Sequence, residues 1–419
     1  MQTNLKRKQQ ADYWATQTDQ EDTGFESLQL DFIQLAPGHF HPMSELYQSW
    51  MELFQKDPHS ELDQHPDHVL RISPLLQEEH AFARGHLLFC RKGNKPVAAA
   101  VLLPKLFNTK TLRGIGPARQ IGGYFLSGHR FLMSEDYQHD QAFHNFLLGA
   151  SVSFCGHNAG RFLLLEDILI NEPLNQSLKH LSKHFLSYSH TGFQPRSLIQ
   201  FPEHPVDYWN QFRSKSRRKH RKLLRDNSEL QLIRVTRPDQ VAEFLEAAHQ
   251  ISLNTWQTQR LGLRIKNSDK ELEEMMFLAI NDSLRSYLLV DKDQPIAFKI
   301  GSQHRGTFND LEFGFDLNYA SVSPGETLLL LILEDLIESN TPRTFDFGTG
   351  DAEYKQRYST EITQSHSVLL FPSTWRNKCL ISYLKSSCWI DQTSRKVLKS
   401  SGVYTALRQM SRYRKLGSR

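Results

Sequence analysis

Between Leu230 and Phe371 the apolar residues switch repeatedly between a spacing of two and a spacing of three to four, and the order of those switches restricts the fold. Leu230, Leu232, Ile233 and Val235 read as a strand. Pro238 then sits where the first turn of a helix tolerates it, and Val241, Phe244, Leu245, Ala248 and Ile251 recur at helical spacing. Leu272, Met275, Met276, Ala279 and Ile280 mark a second helix. Strands are expected over 284–290, over 295–303 after the turn Asp291-Lys292-Asp293-Gln294, and over 307–316 after His304-Arg305-Gly306. A leucine-rich helix over 325–339 and strands over 343–347 and 362–371 complete the order β-α-α-β-β-β-α-β-β. That order predicts an α/β fold, a mixed sheet with helices on its faces.

The N-terminal half repeats the order loosely, with strands expected over 28–35, 86–91, 97–106 and 162–168 and helices over 44–55 and 141–155. The halves share no residue-level repeat, so the duplication is one of element order. A chain of 419 residues is too long for one ordinary core, and its 39% hydrophobic content can fill two. The expected division is a polar, poorly ordered lead over 1–26, an N-terminal domain over 27–203, a basic amphipathic linking helix over 204–228, a C-terminal domain over 229–375 and a basic amphipathic tail over 376–419.

Charge and cysteine usage exclude several classes. A net charge of +4 by itself predicts neither nucleic acid nor membrane binding. Its distribution is uneven: from Arg376 to Arg419 only Asp391 opposes a long series of lysines and arginines. Trp389, Val397, Leu398, Val403, Tyr404 and Leu407 lie among those cations, as in short helices that dock on the body or rest on an anionic membrane surface. Cys90, Cys155, Cys379 and Cys388 form neither a CxxC nor a metal-spaced pair, so no metal site or disulfide framework is expected and a cytoplasmic location follows. His59, His65, His68 and His80 read as solvated loop residues. The first ten residues lack a signal-peptide core, and the apolar run Leu328–Leu333 is far too short to span a bilayer.

Three segments carry the candidate chemistry. The first, Phe345 to Tyr358, ends a buried strand in glycines and then crowds in Asp351, Glu353, Tyr354, Lys355, Arg357 and Tyr358. Alternation places Asp346 on the face opposite Phe345 and Phe347, while Asp351 and Lys355 are placed to order a substrate hydroxyl or amine; the alternative is a surface turn whose charges pair with one another. In the second, Ser323-Pro324-Gly325-Glu326, a capping box accounts for Ser323, Pro324 and Glu326 but leaves Gly325 unexplained. A missing Cβ at a helix N-terminus also lets a phosphate approach free N–H groups. The third is a basic helix with Arg213, Arg217 and Arg221 in one row, which is either a solvated face, a contact for an anionic donor or acceptor, or an RNA contact. Arg119-Gln120-Ile121-Gly122-Gly123-Tyr124 approaches a phosphate-loop pattern, but no helix follows promptly and it is not assigned that role.

Lys215-Ser216-Arg217-Arg218-Lys219-His220-Arg221, the Tyr319–Leu328 segment with its Ser-Pro-Gly, and the Asp346-Phe347-Gly348 to Tyr354-Lys355 loop together resemble the BioF2-like or CelD-like acetyltransferases. These are GNAT-fold proteins found beside bacterial cellulose and exopolysaccharide genes. Trp256 fits the same pattern, and the chain is also similar to the Fem-type aminoacyl transferases, which place two GNAT-like domains in tandem. The resemblance implies two tandem GNAT-like domains, the N-terminal one degenerate. It further implies transfer of an acyl group, most simply acetyl from acetyl-CoA and without a metal, to an amine or hydroxyl of a sugar or polysaccharide precursor. Donor binding then falls to Ser323, Pro324, Gly325, Glu326, Thr327 and Lys355, although Ser-Pro-Gly differs from the usual Gln/Arg-x-x-Gly-x-Gly/Ala. Catalysis falls to Asp351, Glu312, Tyr354 and Asp346, with Glu312 or Asp351 as base and Tyr354 as proton donor to the leaving thiolate. Arg217, Arg221, Trp256 and Arg357 become acceptor contacts. An aminoacyl-tRNA-dependent transferase and a non-catalytic scaffold of an exopolysaccharide system are the competing readings.

Overall fold

The computed structural model describes residues 27–36, 40–80, 83–108, 120–157, 161–189, 191–255, 265–339 and 341–400. The lead over 1–26, Trp256, Arg119 and the tail beyond Ser400 lie outside the described residues. The N-terminal half contains β1 (Leu28–Gln34), α1 (Glu45–Lys56), α2 (Pro66–His80), β2 (His86–Lys92), β3 (Lys95–Asn108), β4 (Gln120–Leu126) and β5 (Leu132–Met133). It continues with α3 (Gln141–His157), β6 (Leu163–Leu169), α4 (Pro173–His180), β7 (Phe185–Tyr188) and β8 (Phe193–Gln200). After α5 (Ser214–Asp226) come β9 (Gln231–Val235), α6 (Val241–Leu253), α7 (Asp269–Ile280), β10 (Ser286–Asp291), β11 (Gln294–His304) and β12 (Thr307–Phe315). The remaining elements are α8 (Pro324–Ser339), β13 (Thr344–Thr349), α9 (Glu353–Tyr358), β14 (Glu361–Pro372) and α10 (Trp375–Ser400).

Among the described residues all the strands belong to one mixed sheet, ordered β1-β2-β3-β4-β6-β14-β8-β13-β12-β11-β10-β9, with β5 on β3 and β7 on β14. In the N-terminal half an antiparallel run from β1 to β4 meets β6 in parallel, and in the C-terminal half an antiparallel run from β9 to β12 meets β13 in parallel. The duplicated element order is therefore a duplicated sheet order. Between the two runs each half lends a strand to the other. β14 pairs with β6 through Leu369↔Leu164, and β8 pairs with β13 through Phe345↔Ile199. A cut between residues 203 and 229 divides the chain but not the sheet.

Turn chemistry sets the register near the site. Lys292 and Asp293 (φ 45° and 68°) and Arg305 and Gly306 (φ 51° and 78°) take the two positive φ values that a tight two-residue hairpin turn requires. Arg305 also anchors the β11–β12 turn to the other half, donating from Nη2 to the carbonyl of Gln55 at 2.6 Å, while His304 stacks on Phe54 with centroids 5.6 Å apart. In the C-terminal half α6 and α7 cover one face, where Phe298 and Ile300 are buried, and α8 covers the other over Ala297, Phe308, Phe345 and Phe347.

Two sequence expectations need correction. His65 and His68 are buried rather than solvated: they stand at the start of α2 and pack against Phe277 of α7 at 5.1 and 4.7 Å between centroids. Burial lowers the pKa of both, as expected where an imidazole is kept from charging. The basic helix starts only at Ser214, because Pro205–Gln211 forms a separate 3-10 turn. Tyr208, Trp209 and Phe212 thus reach the α8-side core from outside the helix.

Candidate active site

The parallel strands β12 and β13 are paired only through Thr307↔Thr344, Phe308↔Phe345 and Asn309↔Asp346. On its other side β12 shifts register between Ile300 and Gly301, so that Asp310 opposes Gly301, Glu312 opposes Ile300 and Leu311 bulges out. The two strands run on unpaired beyond this point, to Phe315 and Thr349. Gly348 and Gly350 take φ values of 68° and 115°, which turns the chain into α9. Lys355 of α9 donates from Nζ to the carbonyls of Phe347 (2.5 Å) and Thr349 (2.8 Å), tying α9 to the end of β13. Burial lowers the Lys355 pKa, against the opposing charge of Asp310.

A cavity of about 210 Å³ opens beside this gap, lined by Lys299, Phe313, Phe315, Gly325, Glu326, Leu329, Tyr354, Arg357 and Tyr358. Lys299 is 2% exposed; its Nζ lies 2.6 Å from Asp310 Oδ2 and 4.8 Å from the centroid of the Phe313 ring. A buried ammonium is tolerated because it has both a carboxylate and an aromatic face. Tyr354 is raised in pKa by burial and then by the charges of Asp310 and Glu312, so it is a protonated phenol facing the cavity.

The N-terminus of α8 forms another wall. A Cβ on Gly325 would lie 2.7 Å from Phe313 Cζ, so glycine is required for α8 to approach β12. The expected capping box does not form: Ser323 adopts a left-handed conformation (φ 48°, ψ 55°), unlike the extended one of an ordinary cap. Glu326 instead turns to the cavity, where Oε1 accepts from Tyr358 Oη (3.0 Å) and Arg357 Nη1 (3.2 Å), and Oε2 lies 3.5 Å from Lys219 Nζ. The Tyr358 hydroxyl also meets His220 Nε2 at 3.2 Å, and the two rings stack at 5.4 Å. His220 is lowered in pKa by burial, and its Nδ1 has no hydrogen-bond partner among the described residues. The basic helix α5 thus brings one cation, Lys219, and one neutral imidazole to the mouth of α8.

Of the residues expected from sequence, the structure gathers Gly325, Glu326, Tyr354 and Arg357 at the cavity and places Lys355 beneath it. Others lie elsewhere. Asp346 does face away from Phe345 and Phe347, but it is 6% exposed and already bonded: Arg196 Nε donates to Oδ2 at 2.8 Å and the Gly348 N–H to Oδ1 at 2.7 Å. Such a carboxylate fixes the turn rather than exchanging protons with substrate. Thr327 is fully buried, its hydroxyl donating to the Val322 carbonyl and accepting from Asn227, so it holds α5 against α8. Asp351 is exposed and bonded to Gln356, Ser323 is exposed, and neither they nor Pro324 line the cavity. Glu312 lies beside the gap, within charge range of Tyr354. Arg217 contacts Asn210 at 3.4 Å and Arg221 is exposed, both away from the cavity wall. Sequence reasoning missed Lys299 and Asp310, and it gave Tyr358, inside the Phe345–Tyr358 segment, no role of its own. A lone lysine inside Ile296-Ala297-Phe298-Lys299-Ile300, followed across a hairpin by Asp310, is the signal that was available.

Residues 210–356 match the family profile described as an acetyltransferase (GNAT) domain. No curated protein sequence matches the chain. The solved structure of FemX superposes with a TM-score of 0.55 at 11% identity, covering 78% of this chain and 96% of that one. At that identity the likeness concerns the fold. The C-terminal domain of a putative lysylphosphatidylglycerol synthetase from Agrobacterium fabrum gives a TM-score of 0.47 at 12% identity, with coverages of 78% and 92%. A tandem GNAT protein from the clavulanic acid pathway gives 0.44 at 11% identity, with coverages of 83% and 99%. Residues 210–356 thus match a GNAT acetyltransferase domain and lie within a large mixed sheet whose fold is similar to that of FemX.

Proposed function

We propose that this protein is a BioF2-like or CelD-like acyltransferase that moves an acyl group, most simply acetyl, from a CoA thioester to an amine or hydroxyl of a sugar or polysaccharide precursor. The observation that carries this reading is the cavity between the N-terminus of α8 and the gap where β12 leaves β13, with Tyr354 and Lys299 in its wall. Backbone N–H groups that β12 turns to that gap, other than that of Phe313, which donates to Glu312 Oε1 at 3.3 Å, would polarise the thioester carbonyl, the positioned-dipole stabilisation that acyl transfer needs. Tyr354, protonated at neutral pH, would supply a proton to the departing thiolate. The helix N-terminus at Gly325 and the cations Arg357 and Lys219 would hold the donor's phosphates, with Glu326 setting their spacing. The exposed Trp375 and Trp389 of α10, at 70% and 67%, support a peripheral membrane contact for the basic tail.

Isothermal calorimetry with acetyl-CoA tests the donor site. Binding is expected for the wild type and is expected to fall at least tenfold in Arg357→Glu, a 41% exposed position where a substitution spares the core. A folded wild type that takes up no acetyl-CoA refutes the reading. The exposed Arg213, at the N-cap of α5, and Arg221 within it favour a second reading, an aminoacyl-tRNA-dependent transfer. It requires tRNA binding that weakens steeply with salt, and a flat salt response refutes it.

A further inference from the structure

His129 and Glu61 form a dyad that the donor cavity does not use. His129 lies between β4 and β5, after Gly128 at φ 76°. Its backbone N–H donates to Glu61 Oε1 at 3.1 Å, and its Nδ1 meets Glu61 Oε2 at 2.6 Å. The loop is held in place by Gln64, which donates to the Arg130 carbonyl at 2.6 Å and lies where a Cβ on Gly128 would fall. An ionised carboxylate can only accept, so Nδ1 carries a hydrogen, and in the neutral imidazole Nε2 keeps its lone pair. The two side chains remain 35% and 29% exposed, open to a solute.

The dyad is joined to the gap between β12 and β13. Arg196 reaches from β8 to within charge range of both Glu61 and His129. Its guanidinium also bonds Asp346 Oδ2 and, at 3.3 Å, the carbonyl of Asp167, a residue held at φ 49°. Asp346 is the last residue of β13 paired with β12, and it faces away from the α8 side, where the donor cavity lies. Burial pushes the His129 pKa down, but the charge and hydrogen bond of Glu61, aided by Asp63, outweigh burial and Arg196, and the net shift is upward. Glu61 is pushed up by burial and pulled down further by His129 and Arg196, while His304 faces it from β11.

We propose that His129 is the general base for the acceptor, with Glu61 as its positioning residue, and that a polar acceptor bearing an amine or hydroxyl enters between the two halves, on the sheet face opposite the donor cavity. This rests on the acyl-transfer reading above. In the step, the acceptor nitrogen or oxygen bonds to the thioester carbonyl carbon and its proton passes to His129 Nε2. The carbon–sulfur bond breaks, and the thiolate leaves with the electron pair and takes a proton from Tyr354, which solvent restores.

The test uses the full chain, acetyl-CoA as donor and glucosamine as probe acceptor, with CoA release as the readout; where glucosamine gives no turnover, acetyl-CoA hydrolysis is followed instead, water being the acceptor. His129→Gln is expected to lower kcat/KM about 100-fold or more, the usual weight of a general base, with acetyl-CoA affinity unchanged within about twofold. Glu61→Gln is expected to move the acid limb of the pH–rate profile to lower pH, because it removes the charge that holds the imidazole up. A merely structural role for Glu61 would lower the rate without moving that limb. Wild-type turnover in His129→Gln, or an unmoved limb in Glu61→Gln, overturns the proposal while leaving the donor reading intact. Failure of the wild type to bind acetyl-CoA removes both.

Discussion

The Lys299–Asp310 pair offers the most quantitative test of the site, because the structure fixes both its distance and its burial. The two groups lie 2.6 Å apart, with side chains 3% and 6% exposed. At an effective dielectric of about 20, unit charges at that separation attract by about 6 kcal/mol, and much of this only offsets the desolvation of two ions. Removing one partner keeps that cost and loses the attraction, so Asp310→Asn or Lys299→Met alone is expected to destabilise the fold by about 3–5 kcal/mol. Replacing both, as Lys299→Met with Asp310→Leu, removes the desolvation along with the attraction and is expected to stay within about 1 kcal/mol of wild type or to be more stable. Urea unfolding followed by circular dichroism gives all four corners of the cycle, and the resulting coupling energy should amount to several kcal/mol. A single substitution costing under about 1 kcal/mol, the range of an exposed ion pair, would refute a buried pair at the cavity wall. The double variant should still lose donor turnover, since Lys299 lines the cavity.

Gly325→Ala is expected to destabilise despite alanine's advantage of about 1 kcal/mol in a helix. A Cβ 2.7 Å from Phe313 Cζ overpacks the α8–β12 contact, typically at about 1–3 kcal/mol, and adding Phe313→Leu should restore the thermal midpoint. His304 makes stability depend on pH. Burial lowers its pKa from 6.5 to about 4, so between those values the unfolded chain holds a proton that the folded chain does not. Stability is therefore expected to fall as pH drops through that window and to level off below it, by about 1–2 kcal/mol after allowance for partial exposure. Urea midpoints at pH 7 and 5 should draw together in His304→Phe, which retains the stack on Phe54; an unchanged gap counts against the assignment. Separate fragments 1–203 and 204–419 are each expected to aggregate, because β6 loses β14 and β13 loses β8, leaving bare strand edges. Co-expression should recover a soluble complex, and a monomeric, folded fragment 204–419 would refute the exchange.

How far the sequence reached depended on whether a feature is local. The strands from β9 onward, the two tight hairpins and α8 lie within a few residues of their expected bounds, because alternation, helical spacing and positive-φ turns are written in neighbouring residues. Helix α2 was hidden: Val69, Ile72 and Leu76 are spaced as a buried face, but His59, His65, His68 and His80 read as solvated loop residues. The face of Asp346 was legible from Phe345 and Phe347; its occupation by Arg196, 150 residues away, was not. The same holds for Glu326, which sequence spacing assigns to its own helix cap and the fold assigns to Tyr358, Arg357 and Lys219. Glu326, Thr327 and Asp346 are polar groups whose partners arrive from other elements, and at Asp346 the first half converges on the second. The exchange of β8 and β14 creates that convergence, since it sets Arg196 of the first half against Asp346 of the second. The gap between β12 and β13 is therefore bordered by both halves, and a change confined to the N-terminal half, such as Arg196→Met, should disturb the site as directly as one in the matched GNAT segment.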